Sequence, residues 1–272
     1  MKCPVCNCNK TIKLLTFDDI RVRKCMNCSH EFSEHQDNIN FEIYNEQYYT
    51  DEHENWFKYP NLTLFQKIKD YIQEFKSTES SVVDIGCGKG DFLFYLKNNK
   101  FSNLIGIDLS KNKDDDIIKF KQANIFDFEI KSKYDVVINF AVIEHLNNLN
   151  KFVEVMETFV QNNGLLIVMT LDSDSFLYKA SKLLYRIGIH FPIKRFYSEH
   201  HVNHFNKKSL RYLLNKKGFE VLEHFNTNFP VKAIDISEGP FKQVILFFVK
   251  VIFFFTQKRY GMLQTIILKK LK

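Results

Sequence analysis

The sequence predicts an α/β protein, an open doubly wound sheet preceded by a small cysteine-clamped module, and three observations carry that expectation. Residues 82–90 read VVDIGCGKG, a short apolar run that ends in an acid and breaks into alternating glycines, as a strand does where it turns over a ligand. Further apolar runs at 103–108 and 134–140 follow it, the first after a helix-compatible stretch. At the amino end, Cys3-Pro-Val-Cys6 and Cys25-Met-Asn-Cys28 are two CxxC pairs separated by 18 residues.

Each CxxC pair makes a tight knuckle with both thiolates on one side, and two knuckles close a tetrahedron of four sulfurs. That spacing is a structural zinc ribbon over residues 1–35, with Cys3, Cys6, Cys25 and Cys28 as ligands and Cys8 and His30 as spare donors. Free thiols or disulfides are the alternative. With no signal-peptide pattern, a cytoplasmic, reducing setting is expected, where paired cysteines hold metal. So small a module should draw most of its folding free energy from the ion. Residues 36–79 read as a helical cap, whose run Tyr44-Asn-Glu-Gln-Tyr-Tyr49 either lines an acceptor pocket or packs an amphipathic helix.

Gly86, Gly88 and Gly90 give the loop positive φ and leave no Cβ between backbone and ligand. A dinucleotide fingerprint needs glycine at the sixth place, and Asp91 stands there, which argues against a nicotinamide cofactor. Asp84, inside the strand end, suits a ligand carrying an ammonium group, such as the methionine moiety of S-adenosylmethionine; Cys87 serves as a small residue in the cradle. After a helix over 91–99, with Phe92, Leu93, Tyr95 and Leu96 on its apolar face, Asp108 falls at the second strand tip, 18 residues beyond Gly90. A carboxylate there accepts both ribose hydroxyls or caps a helix. A third strand tip at 122–127 offers Asn124 or Asp127 to an adenine amino group, with Asn124 favoured. Leu109, Ile125 and Phe140 complete the expected cofactor wall, and the residues from Ala141 to Leu146 overhang it.

Four motifs, VVDIGCGKG, LIGIDLS, YDVVINFAVIEHL and NNGLLIVMT, stand in this order between about residues 80 and 171, and the pattern resumes at His201. Together they resemble the class I S-adenosylmethionine-dependent methyltransferases. The resemblance implies a seven-stranded doubly wound sheet over residues 80–272, with Asp84 and the glycines around the methionine end of the cofactor and Asp108 on its ribose. It also implies late antiparallel strands at 219–225 and 262–268, with Gly218 closing the preceding helix. By the same resemblance His145 is the general base for a hydroxyl acceptor, unless it caps the following helix, and His201 and His204 approach from the opposite side. Ubiquinone-type O-methyltransferases resemble this stretch but carry a Glu-x-x-Glu-His metal constellation. Ala141 stands where its first acid would be.

At 272 residues and 45% hydrophobic composition the chain has ample core, and a net charge of +6 is mild. The expected activity is O-methylation of a sugar, nucleotide-sugar or lipid-linked saccharide in surface polysaccharide biosynthesis. The alternative is a ribosomal RNA methyltransferase with a zinc recognition module. Scattered lysines and the absence of an Asn-Pro-Pro-aromatic base clamp disfavour a nucleic-acid partner. A purely binding role conflicts with the intact glycine loop. Apolar, basic insertions interrupt the core at 173–200 and 230–260. Within the second, residues 241–258 form a helix with valine, isoleucine and phenylalanine around a narrow polar stripe of Lys242, Gln243, Lys250 and Gln257. It reads as a lid or dimer helix, a helix lying on the inner membrane face, or a core helix. The oligomeric state is open.

Overall fold

The computed structural model describes residues 1–34, 54–128, 132–215, 218–234, 239, 242–256 and 259–271. The tyrosine run at 44–49 lies outside the described residues. The amino-terminal module contributes β1 (Thr11–Phe17), β2 (Ile20–Cys25) and β3 (Glu31–Ser33), and α1 (Glu54–Lys58) and α2 (Leu62–Phe75) lead into the core. There β4 (Val82–Ile85), α3 (Asp91–Asn98), β5 (Leu104–Asp108), β6 (Ile118–Gln122), β7 (Tyr134–Phe140), α4 (Leu149–Phe159) and β8 (Val160–Leu171) follow. The remainder is α5 (Phe176–Arg186), α6 (Phe191–Phe196), β9 (Asn203–His204), α7 (Lys207–Leu214), β10 (Phe219–Thr227), α8 (Lys242–Thr256) and β11 (Leu263–Lys270).

The main sheet has seven strands in the order β10-β11-β8-β7-β4-β5-β6. Its five inner and right-hand strands run parallel, and β11 is antiparallel to both β8 and β10. The order reverses between β4 and β7, so the crevice outside their carboxyl ends is where a doubly wound sheet takes its ligand. The near-continuous apolar runs are explained by burial on both faces. Val82, Val136, Leu165 and Ile167 pack under α2 and α3, while Val83, Val137, Leu166 and Val168 pack under α4 and α7. Caps fix the helix starts: Asn61 accepts from the Leu64 amide at 3.2 Å, and Asn206 and Ser209 form a reciprocal capping box on α7.

The third strand, Ile118–Gln122, ends where its tip is expected, and beyond it Asn124 accepts from the Phe126 amide at 3.0 Å and turns the chain away from the sheet. Two expectations shift. The C-cap of α7 is Asn215; Gly218, at φ +73°, instead makes the turn into β10. And α8 is no core helix: apart from Phe253 and Thr256 its side chains are partly or largely exposed.

The amino-terminal module is built into the rest of the chain. Its strands order as β1-β2-β3-β9, so the fourth strand comes from the carboxyl-terminal half. Cys3, Val5, Cys25, Cys28 and Phe32 share one buried cluster with Phe205, Leu210 and Leu213. Beside them Glu31, 1% exposed, accepts from Lys182 at 3.0 and 3.1 Å, Lys24 at 3.1 Å and the Tyr197 hydroxyl at 2.5 Å. Removing a buried carboxylate from such a network leaves its cation and hydroxyl stranded, at about 3 kcal/mol or more. We therefore predict that Glu31→Ala lowers unfolding free energy in urea by about 3 kcal/mol; a loss below about 1 kcal/mol would show that the network is solvated in solution.

Candidate functional site

A cavity of about 310 Å³ opens at the carboxyl ends of β4, β5 and β7, at the reversal point of the sheet. Of the residues expected to hold the cofactor, Asp84, Gly86, Cys87, Gly88, Asp108, Leu109, Asn124, Ile125 and Phe140 all line it. Gly90 does not: at φ +82° it starts α3, and a Cβ there would lie 2.8 Å from the Phe120 ring. Gly86, at φ +73°, admits no side chain because a Cβ would sit 2.2 Å from Val142. Val142 is brought down by Ala141, which adopts φ +53° immediately after β7 and turns the chain back over the glycine loop.

Two carboxylates define the cavity's electrostatics. Asp108 is 8% exposed and accepts from the Gly88 amide at 2.8 Å, the Ser110 amide at 2.8 Å and the Ser110 hydroxyl at 2.7 Å. It thereby ties the second strand tip to the glycine loop. Asp84 is 3% exposed, and its Oδ1 has no hydrogen-bond partner. Burial, reinforced by the charges of Asp108 and Asp91, pushes its pKa up to about 8. A buried acceptor aimed into a cavity wants a cation. Asn124 lines the cavity while its Oδ1 accepts from the Phe126 amide; Asp127 is not among the lining residues.

The opposite wall holds the imidazoles. His145 ends a 3₁₀ turn over Ile143–His145, and the helix after it is capped by Asn148, so His145 is no cap. Its Nδ1 lies 2.9 Å from the His200 carbonyl oxygen. A carbonyl only accepts, so Nδ1 carries a proton, and in the neutral ring Nε2 holds the lone pair. The His201 ring does not approach from the opposite side, as expected, but stands on the same wall, 4.8 Å away centroid to centroid, and both rings line the cavity. His204 does not line it; it lies buried in β9 beside Tyr197. Glu144 was not singled out from sequence. It is 2% exposed, accepts from Thr170 Oγ1 at 2.8 Å, and burial raises its pKa to about 7. Ligand atoms of Glu144, His145 and His201 all lie within 4.8 Å of one another. The cavity mouth is apolar, walled by Trp56, Tyr59, Phe229 and Pro230, with Trp56 edge-on to Phe229 at 5.7 Å. Such roof residues have no motif; the lone tryptophan of the chain was the available signal.

The histidine wall is fastened to the amino-terminal module. Ser33 of β3 donates to the Val202 carbonyl at 2.9 Å, and Val202 donates to the Glu144 carbonyl at 3.0 Å. His30 Nε2 donates to Asn203 Oδ1 at 3.2 Å, while Asn203 Nδ2 donates to the Leu146 carbonyl at 2.7 Å. His30 Nε2 is thus bonded away from the cysteines, and the ring is not among the groups whose ligand atoms converge with the thiols. The four thiols of Cys3, Cys6, Cys25 and Cys28 do converge, with all Sγ atoms within 4.8 Å of one another. None of the six cysteines is in a disulfide.

Residues 61–224 match a family described as methyltransferase domain. The chain belongs to that family and carries the fold of the class I S-adenosylmethionine-dependent methyltransferases. Among curated proteins it is 28% identical over 122 residues to a ubiquinone biosynthesis O-methyltransferase of Pelagibacter ubique, covering 38% of this chain and 50% of that one. The chain thus spans about half the length of such relatives. Among solved structures, a SAM-dependent methyltransferase from Archaeoglobus fulgidus superposes with TM-score 0.53 at 19% identity, covering 82% of this chain and all of its own. A 1,6-didemethyltoxoflavin-N1-methyltransferase from Burkholderia thailandensis, solved with S-adenosylhomocysteine, gives TM-score 0.57 at 9% identity, covering 91% and 98%. At these identities the structures speak to fold.

The raised Asp84 pKa has a consequence for stability. The native chain holds a proton that the unfolded chain, with an ordinary carboxyl near 3.8, has released, so stability falls as pH rises from about 4 to about 8. Asp84→Asn removes this loss. In the absence of ligands, the stability gained by Asp84→Asn should grow with pH across that window, by at most about 1.4 kcal/mol per pH unit. A gap that is constant from pH 5 to pH 8 would show that Asp84 titrates normally.

Proposed function

We propose that the protein transfers the methyl group of S-adenosylmethionine to a hydroxyl of a small acceptor. The observation that carries this reading is a single cavity with an unpartnered buried carboxylate oxygen at Asp84 on one wall and an imidazole Nε2 lone pair at His145 on the other. The cofactor supplies a methyl group on a sulfonium, already an excellent leaving group. Asp84 fits its ammonium, and Asp108 fits the ribose hydroxyls. The cradle that a Cβ at Gly86 would fill supports close backbone approach. What the chain must add is alignment, removal of the hydroxyl proton and exclusion of water. His145 Nε2 takes the proton, the His200 carbonyl holds the ring in the required tautomer, and Trp56 and Phe229 shut water out.

Oxygen as the acceptor atom is supported by the O-methyltransferases to which the chain is similar. A saccharide, whose ring face stacks on aromatic walls, suits the mouth formed by Trp56 and Tyr59, and surface polysaccharide biosynthesis is the setting we favour. An RNA acceptor is less well matched, since the lysines beside the cavity, Lys58, Lys89 and Lys232, sit over aromatic rings rather than forming a phosphate track. Transfer of labelled methyl to a panel of sugar, nucleotide-sugar and phenolic hydroxyls tests the reading. His145→Ala should slow transfer by roughly 10² to 10⁴-fold with cofactor affinity unchanged. Asp108→Ala should instead weaken S-adenosylhomocysteine binding in calorimetry by roughly tenfold or more. Full cofactor affinity in Asp108→Ala would remove the assignment.

The cysteine cluster suits zinc. Cys3 and Cys28 sulfurs lie 3.5 Å apart, as do Cys6 and Cys25, close to the edge of about 3.8 Å that four bonds of 2.3 Å to one ion require. The hydrogen bond from Cys28 lowers the Cys3 thiol below its ordinary range, which favours a thiolate within the cluster. Elemental analysis of protein purified without added metal should find one zinc per chain, absent from Cys25→Ser. Stoichiometric zinc in Cys25→Ser would refute the four-thiolate site.

A further inference from the structure

We infer that α8 is a docking surface for an anionic lipid bilayer, on which the protein lies peripherally. The inference is independent of the acceptor and of the cofactor reading. Among the described residues of the chain, the most exposed phenylalanines are Phe255 at 79% and Phe254 at 77%, both on this helix, followed there by Phe247 at 63% and Phe248 at 59%. Val244, Ile245 and Val251 are exposed with them. At about 100° per residue these seven positions cover an arc of about 180°, centred opposite the side on which Val249 and Phe253 pack against the body. A neighbouring helix of a second copy covers a much narrower apolar stripe. A bilayer interface can take up half a cylinder.

Charge selects the partner. Residues 242–256 contain no Asp or Glu, and neither do residues 176–198, which form the adjoining insertion. Lys250 borders the apolar arc, and Arg259 follows the helix, its guanidinium 5.3 Å from the Tyr260 ring. Lys179 reaches the same ring at 5.3 Å. Such long cationic side chains beside exposed phenylalanines match a surface of apolar chains beneath anionic head groups. The adjoining insertion repeats the composition, with Leu183, Ile187, Ile189 and Phe191 exposed beside Arg186 and Arg195, and its helices share one buried cluster with Val249 and Phe253.

Length excludes insertion across the bilayer. The 15 residues of α8 reach about 22 Å, short of an apolar core of about 30 Å, and no described helix is long and apolar enough to cross. The helix is also fastened to the cavity mouth. Asn228 Nδ2 donates to the Phe253 carbonyl at 3.0 Å, its carbonyl accepts from Asn61 at 3.0 Å, and the next two residues, Phe229 and Pro230, wall the mouth. A docked α8 therefore holds the mouth close to the lipid surface.

Flotation of the full chain with phosphatidylcholine vesicles, with and without phosphatidylglycerol, tests this at low and at high salt. The protein should float with the anionic vesicles at low salt, and the double variant Phe254→Glu, Phe255→Glu should lose at least tenfold of its bound fraction. Both side chains are largely exposed, so its thermal melt and circular dichroism should stay unchanged. Lys250→Ala should weaken binding and its salt dependence together. Failure to float at low salt overturns the inference, as does equal binding to neutral vesicles. A concentration-dependent dimer, abolished by the same double variant in sedimentation without lipid, would give the face to a second copy instead.

Discussion

The carboxylate of Glu31 is the tie on which the arrangement of the molecule depends. It belongs to the cysteine module, yet its partners Lys182 and Tyr197 lie in the insertion after β8, and the strand that carries it pairs with β9. A buried charge in this position is tolerable only because two ammonium groups and a hydroxyl surround it. Once it is satisfied, three distant stretches of chain have one permitted placement. The histidine wall of the cavity follows from that placement, because Val202 and Asn203 bond to the module on one side and to the backbone of Glu144 and Leu146 on the other.

The two walls of the cavity accordingly have different origins. Asp84, the glycine loop and Asp108 are set by the parallel strands β4 and β5 and by the amide bonds from Gly88 and Ser110 to Asp108. His145 and His201 are set by a 3₁₀ turn and by a segment that the module clamps. In chemical terms, the first wall accepts cationic and hydroxyl groups, and the second takes a proton. Their separation means that changes in the module can alter proton transfer while leaving the carboxylate wall intact.

The first wall was legible in the sequence because each of its residues sits at a strand end, where apolar periodicity and glycine spacing fix the position. Nine of the expected lining residues face the cavity for this reason, and Gly90 misses it only because its glycine serves the approach of Phe120. The CxxC pairs were equally legible, since a knuckle is a local structure. The second wall was legible only in part: His145 follows from its distance past β7, but its tautomer comes from the His200 carbonyl, 55 residues away in sequence. Glu144 stands at the second acid of the Glu-x-x-Glu-His pattern and is passed over because Ala141 replaces the first, whereas Trp56 and Phe229 obey no local pattern and their roles arise from tertiary packing. The third strand stops at Gln122 because a side-chain turn at Asn124 competes with the ladder. The exposure of α8 was equally invisible, because an apolar helix reads alike whether protein or lipid covers it.

The central claim, that the cysteine module holds the histidine wall and not the carboxylate wall, is tested most directly by amide hydrogen exchange. Exchange should be followed in the intact protein and in Cys28→Ser. The account predicts faster exchange in the variant at Val202 and at the turn around His145, with the amides of Gly86 and Gly88 unchanged. Equal protection of Val202 and His145 in both proteins would contradict it, as would loss of protection spread evenly over both walls.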